Sequence, residues 1–142
     1  MTARPRDVEK IFVDTSAWVA LFVANDIDHG RATAAFETLK KFKTLLYTSD
    51  YVVDETITTI LARGSRKQSV LAGSALLTSA IIKIVHVAPD YLKPAWALYQ
   101  KYTDKKFSFT DVSSLAIMKD MGMTKAFAFD RELSQAGIEL IG

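Results

Sequence analysis

Ile11-Phe12-Val13-Asp14-Thr15-Ser16 is the stretch on which the fold turns. A short unbroken apolar run is the pattern of a strand buried on both faces, as in a parallel sheet. A carboxylate placed directly after it, at Asp14, costs desolvation unless it finds a partner. The same arrangement recurs further along the chain. Glu55 follows Tyr51-Val52-Val53-Asp54 early in a predicted helix. Asp111 opens another in Phe107-Ser108-Phe109-Thr110-Asp111, and Asp130 ends Ala126-Phe127-Ala128-Phe129. One such placement is ordinary; four in an otherwise apolar frame suggest a shared cation and a metal-dependent active site.

Working outward from Ile11–Val13, strands and helices alternate. Ser16 to Val23 reads as a short apolar helix. Asp28 caps a longer one to about Phe42, with Ala32, Ala35, Phe36 and Leu39 at helical spacing. Leu45 to Tyr47 is a strand, and Ser49 or Asp50 caps the helix that carries Val53, Ile57, Ile60 and Leu61. Arg63-Gly64-Ser65 breaks that helix and Ser65 starts the next, to about Thr78. Ile81 to Val87 is β-rich but interrupted by Lys83 and His86, which suits a sheet edge. Pro89 to Tyr102 reads as a helix with Leu92, Trp96 and Tyr99 on one face and Pro94 in its first turns. A helix from Asp111 to Met121 stops at Gly122, and Ala126–Phe129 and Ile138–Ile141 are the last strands.

This alternation argues for an α/β fold of three layers, α/β/α. The sheet is parallel and five-stranded, with the order 3-2-1-4-5. In such sheets sites form beyond the carboxyl ends of the strands, where the strand order reverses. The topology alone therefore brings Asp14, Glu55, Asp111 and Asp130 to one rim, with Lys105, Lys106 and Arg131 bordering it.

Clustered carboxylates suit Mg²⁺ or Mn²⁺, which prefer hard oxygen ligands. A metal held there can activate water and stabilise the charge of a phosphoryl transition state. The hydroxyls of Ser16 and Thr110 could hold metal waters or fix the carboxylates. Each acid also has a plainer reading. Asp14 and Asp111 could cap helices, Asp130 could sit in a turn, and Asp54 could replace Glu55 as the second acid. His29 reads as a surface residue at a helix start, His86 as a strand residue, and Trp18 and Trp96 as core or partner contacts.

Taken in order, Val13-Asp14-Thr15-Ser16, Asp54-Glu55-Thr56, Phe109-Thr110-Asp111, Phe129-Asp130-Arg131 and Ala136-Gly137 resemble the PIN-domain family. The likeness is greatest to its VapC-type ribonuclease toxins and covers almost the whole chain from Ile11. The resemblance implies a metal-dependent endoribonuclease using Mg²⁺ or Mn²⁺. Its acids would be Asp14, Glu55, Asp111 and Asp130, and Ser16 would be the hydroxyl of the first motif. It also implies a homodimer and a cognate antitoxin that covers apolar helices. An aromatic residue is common in the family three positions after the last acid; here that position is Leu133.

Other classes fit less well. A haloacid-dehalogenase-like phosphatase needs an aspartate two positions after its nucleophile, where Ser16 stands. A signalling receiver needs paired acids after the first strand, which are absent. A catalytically silent PIN-like module that binds RNA or protein remains compatible with the sequence.

Bulk properties set the bounds. The 142 residues, nearly half of them apolar, fit one domain spanning 1–142, with residues 1–10 as a charged and flexible extension lacking the apolar stretch of a signal peptide. No segment approaches the length of a membrane span. The net charge of +2 means that contact with nucleic acid must come from local patches. There is no cysteine, which excludes disulfides, thiolate zinc sites and a cysteine nucleophile and suits a cytoplasmic protein.

Overall fold

A computed structural model describes residues 8–142. At its centre is β1, Lys10–Val13, in which Ile11, Phe12 and Val13 are fully buried. Burying each such side chain contributes roughly 1.5–3 kcal/mol, which is why this strand and not a more polar one takes the middle of the sheet. β1 pairs in parallel with β2, Leu45–Ser49, setting Ile11 opposite Leu46, and with β4, Lys125–Phe127, setting Val13 opposite Phe127. β3, Ile82–Val85, and β5, Glu139–Ile141, form the two edges. The order is β3-β2-β1-β4-β5, as the sequence pattern predicts, and every pairing is parallel. The exposed Lys83 lies on the β3 edge, where a charge discourages further pairing.

Among the described residues six helices complete the layers: α1, Thr15–Phe22; α2, His29–Lys41; α3, Asp50–Arg63; α4, Arg66–Thr78; α5, Leu92–Lys101; and α6, Phe109–Asp120. α1 packs on α2 and α3, α3 on α4, and α5 on α6. Trp18 of α1 is buried and its Nε1–H donates to Thr48 Oγ1 at 3.2 Å, so it is a core residue. Ser49 and Ser65 cap α3 and α4 by accepting the backbone N–H of Val52 and Gln68. His29 sits 2.7 Å, through Nδ1, from the carbonyl oxygen of Ala20 and ties α2 back to α1.

Several boundaries differ from expectation. The N-terminal extension does not run to residue 10: Lys10 is already in β1, and the Glu9 carbonyl accepts the Leu45 N–H. Residues 1–7 of that extension lie outside the described residues. α5 begins at Leu92 rather than Pro89, after a cis Ala88–Pro89 bond. Its Leu92, Trp96 and Tyr99 face outward, and Ala95 is the buried residue of the helix. α6 begins before Asp111, because Ser108 takes the N-cap. β4 stops at Phe127, which leaves Asp130 in the following loop rather than at the strand end. A short 3-10 helix, Leu133–Ala136, had no signal in the sequence pattern; the buried Leu133 anchors it.

Candidate active site

Asp14 sits where β1 becomes α1. Its N–H donates to the Phe127 carbonyl at 3.0 Å, which locks it to the end of β4, while its own carbonyl accepts from Ala17 and Trp18 as α1 begins. The side chain makes no capping hydrogen bond and is only 6% exposed. Burial above all, then the nearby charges of Asp111, Glu55 and Asp130, push its carboxyl up to about 7.

Asp111 is the third residue of α6. Ser108 Oγ accepts the Asp111 N–H at 3.0 Å, and Asp111 Oδ2 accepts the Ser108 N–H at 2.9 Å, a reciprocal capping box. Burial raises the Asp111 carboxyl despite those bonds, with Glu132 and Glu55 adding repulsion. The Asp130 carboxyl is raised by burial, then by Glu132, with Glu55 and Asp28 adding to the effect and Arg63 opposing it. Glu55, half-buried in the second turn of α3, faces this group, whereas Asp54 is exposed and does not line it. The geometry thus favours Glu55 as the second acid.

Ser16 holds the arrangement together. Its Oγ accepts the N–H of Phe129 at 2.9 Å and of Asp130 at 3.2 Å. The hydroxyl therefore fixes the loop that carries the last acid. Thr110 contributes its carbonyl, which accepts from the hydroxyls of Ser113 and Ser114.

Thr15, Ser16, Asp26, Asp28, Glu55 and Asp130 line a cleft of ≈ 320 Å³ together with Thr59 and Arg63. Three features in or near it were missed from sequence. Glu132, two residues after Asp130, adds negative charge to both Asp111 and Asp130. Asp26 and Asp28 come from the α1–α2 loop, whose path no pattern announced. Arg63 belongs with Glu55 and Thr59 at i, i+4 and i+8, a spacing that puts all three on one face of α3 and was there to be read.

The basic residues expected at the rim divide differently. Lys105 and Lys106 line a separate hollow with Tyr99, Tyr102 and Ser108, and Lys105 pairs with Asp104 at 3.4 Å. Arg131 lines another, beside Arg31 and Phe129. The loop following β4 turns Arg131 away from the cleft, so the residue adjacent to Asp130 in sequence is not adjacent to the cleft.

The expectation that the carboxylates stand close enough to share a cation is not met: among the described residues no three acidic or histidine side chains form a ready ligand group. One cause is visible: Asp111 Oδ2 is engaged by the helix cap. The donor set nevertheless fits a hard divalent cation. All of it is carboxylate oxygen, Asp14 is buried with the Thr15 backbone N–H beside its carboxylate, and among the described residues the buried Thr15 Oγ1 has no hydrogen-bond partner.

Sequence and structure comparisons agree with this fold. The PIN domain family model matches residues 11–139, and the chain belongs to that family. It is 35% identical over 127 residues to the 23S rRNA-specific endonuclease VapC20, in two strains of Mycobacterium tuberculosis, a match covering 89% of this chain and 94% of the relative. The crystal structure of Mycobacterium tuberculosis VapC20, described as a sarcin-ricin loop cleaving toxin, superposes with a TM-score of 0.81, covering 90% of this chain and 95% of that one.

Proposed function

We propose that this protein is a metal-dependent endoribonuclease, the toxin of a toxin–antitoxin pair, that hydrolyses RNA phosphodiesters in the cytoplasm. The observation that carries the reading is Asp14: a buried carboxylate at the end of the central strand, crowded by like charges and raised to about 7. Such a group needs a proton or a cation, and a divalent ion that drew the neighbouring acids together would meet the need.

Asp14, Asp111, Asp130 and Glu55 would hold Mg²⁺ or Mn²⁺. When bound, the ion supplies an activated water and charge stabilisation at the phosphorus. The chain's own residues set the stage. Ser16 fixes the backbone of Asp130, Ser108 orients Asp111, and α3 presents Glu55 from the opposite wall. Lys105 and Lys106, in the hollow beside Ser108, would steer flanking phosphates toward the cleft, and Arg131 would meet RNA in its own hollow beside Arg31. Large-subunit ribosomal RNA is the first substrate to test, because the similar endonuclease takes its name from it.

A groove of ≈ 410 Å³ between α1, α2 and the end of α4, lined by Trp18, Leu21, Phe22, Phe36 and Ile82, adjoins the exposed Ile81. This apolar surface suits the amphipathic helix of an antitoxin. The outward Trp96 and Tyr99, stacked at 5.7 Å, suit a homodimer contact. Among the described residues no helix is long and apolar enough to cross a membrane.

The test is cleavage of ribosomal RNA by purified protein, free of any bound inhibitor, with Mn²⁺, Mg²⁺ or chelator. Metal-dependent cleavage that disappears in Asp14→Asn supports the reading. Inactivity of the wild type across structured and unstructured RNAs points instead to the silent binding module.

A further inference from the structure

RNA entering the acidic cleft carries its own negative charge into a surface made of carboxylates. A resident cation near the bound metal would offset that repulsion, and the flanking lysines do not line the cleft. Arg63 does, and among the described residues it is the one basic side chain that does so. It lies two turns beyond Glu55 on the same face of α3, so the helix itself sets its distance from the second acid.

Its present attachment is weak. Arg63 meets Asp26 at 3.8 Å, the outer limit of an ion pair, and its side chain is 64% exposed. An exposed pair of that length holds the guanidinium loosely. Arg31 provides the contrast: it is paired with Asp28 and lies over the Phe129 ring at 5.2 Å, held from two sides. Arg63 is therefore a free lever anchored at the end of a rigid helix, with a planar fork that matches a phosphate.

We propose that Arg63 is the phosphate-binding residue of the cleft, exchanging Asp26 for a backbone phosphate of the RNA next to the scissile one. This rests on the endoribonuclease reading and adds to it the residue that admits the substrate. The plainer role for Arg63 is structural: it balances Asp26 and complements the carboxyl end of α3.

The experiment measures binding of a fluorescein-labelled single-stranded RNA in an Asp14→Asn background over a salt series. Arg63→Ala should weaken binding roughly tenfold and reduce the salt slope by about 0.7, one phosphate contact. Arg63→Lys should keep the slope and recover part of the affinity, since the charge remains but the fork does not. Asp26→Asn separates the two roles. If Arg63 binds phosphate, Asp26→Asn frees it and does not rescue Arg63→Ala; if it only balances Asp26, the double variant binds as tightly as the Asp14→Asn parent. An unchanged slope in Arg63→Ala, or that rescue, overturns the assignment. Metal-dependent cleavage by the wild type is scored separately: cleavage with an unchanged slope removes Arg63 alone, whereas a wild type that neither cleaves nor binds RNA removes both readings.

Discussion

The two ends of the sheet handle charge in opposite ways. At the amino ends of the strands, Lys125 stands between Glu9 at 2.6 Å and Glu139 at 3.9 Å. The hydrogen bond to Glu9 and the two negative charges raise the lysine further above its ordinary value, so it stays protonated throughout the neutral range. At the carboxyl ends, Asp14, Asp111 and Asp130 are all raised, by burial first and then by neighbouring acids. On one sheet, one end pairs its charges and the other crowds carboxylates around few cations, Arg63 among them. A fold selected only for stability would have no reason to do the latter. Under the proposed function, the difference separates an end for holding from an end for chemistry.

The sharpest way to break that contrast is to remove one acid. Asp14→Asn and Asp111→Asn should each lower the rate of RNA cleavage by roughly a thousandfold or more, the scale of losing several kcal/mol of metal-borne charge stabilisation. Asparagine keeps an oxygen that can still accept the Ser108 N–H in the Asp111 variant, so far-ultraviolet circular dichroism should be unchanged. Cleavage at near wild-type rates would mean that the concentrated charge is not catalytic.

The second effect is on stability against pH. The Asp14 carboxyl is raised from 3.8 to about 7, so the folded chain keeps a proton that the unfolded chain releases. Metal-free stability should therefore fall as pH rises from about 4 to about 7, and the loss should be complete above that. A rise of that size sets an upper bound of roughly 4 kcal/mol on the loss. Mn²⁺ at about a hundred times its dissociation constant should return about 2.7 kcal/mol. Denaturant titrations across pH, with metal and with chelator, would check both. Asp14→Asn should flatten the metal-free slope, and an unaltered slope in that variant would place the cause elsewhere.

A smaller effect belongs to Lys105 and Lys106. Their double alanine variant should lose about 0.7 of salt slope for each phosphate contact removed, read by RNA binding in the Asp14→Asn background. No change would confine RNA contact to the cleft itself. The smallest effect should come from the opposite end. Lys125→Met should leave cleavage unaltered and the melting temperature nearly so, because an exposed ion pair contributes little. A large drop in cleavage there would dissolve the division between the two ends.

The legible part of this molecule was the part dictated by apolar periodicity. Ile11-Phe12-Val13 announces the central strand, Lys83 announces an edge, and the topology places the acids on one rim. What stayed hidden depended on local chemistry that periodicity does not carry. Ser108, rather than Asp111, starts α6, because a serine three residues before an acid forms a reciprocal cap. β4 ends at Phe127, although Ala128 and Phe129 continue the apolar run, so the position of Asp130 is set by Ser16 rather than by the sheet. Arg131 follows Asp130 in sequence but faces another hollow, whereas Arg63, far off in sequence, reaches the cleft through helical spacing. Sequence adjacency is a poor guide to site adjacency once a loop intervenes.

The hydrogen bonds from Phe129 and Asp130 to Ser16 span 113 and 114 positions along the chain. Ser16 is made well before either of its partners. A nascent chain that has not reached Asp130 lacks both the fourth carboxylate and the backbone groups that anchor it. β4, which seats Asp14 through the Phe127 carbonyl, arrives at nearly the same moment. The cleft therefore cannot be assembled until β4 and the loop after it have joined β1 and α1. For an enzyme whose substrate is proposed to be ribosomal RNA, this connectivity sets an order: the first acid is made long before the backbone groups that complete its surroundings.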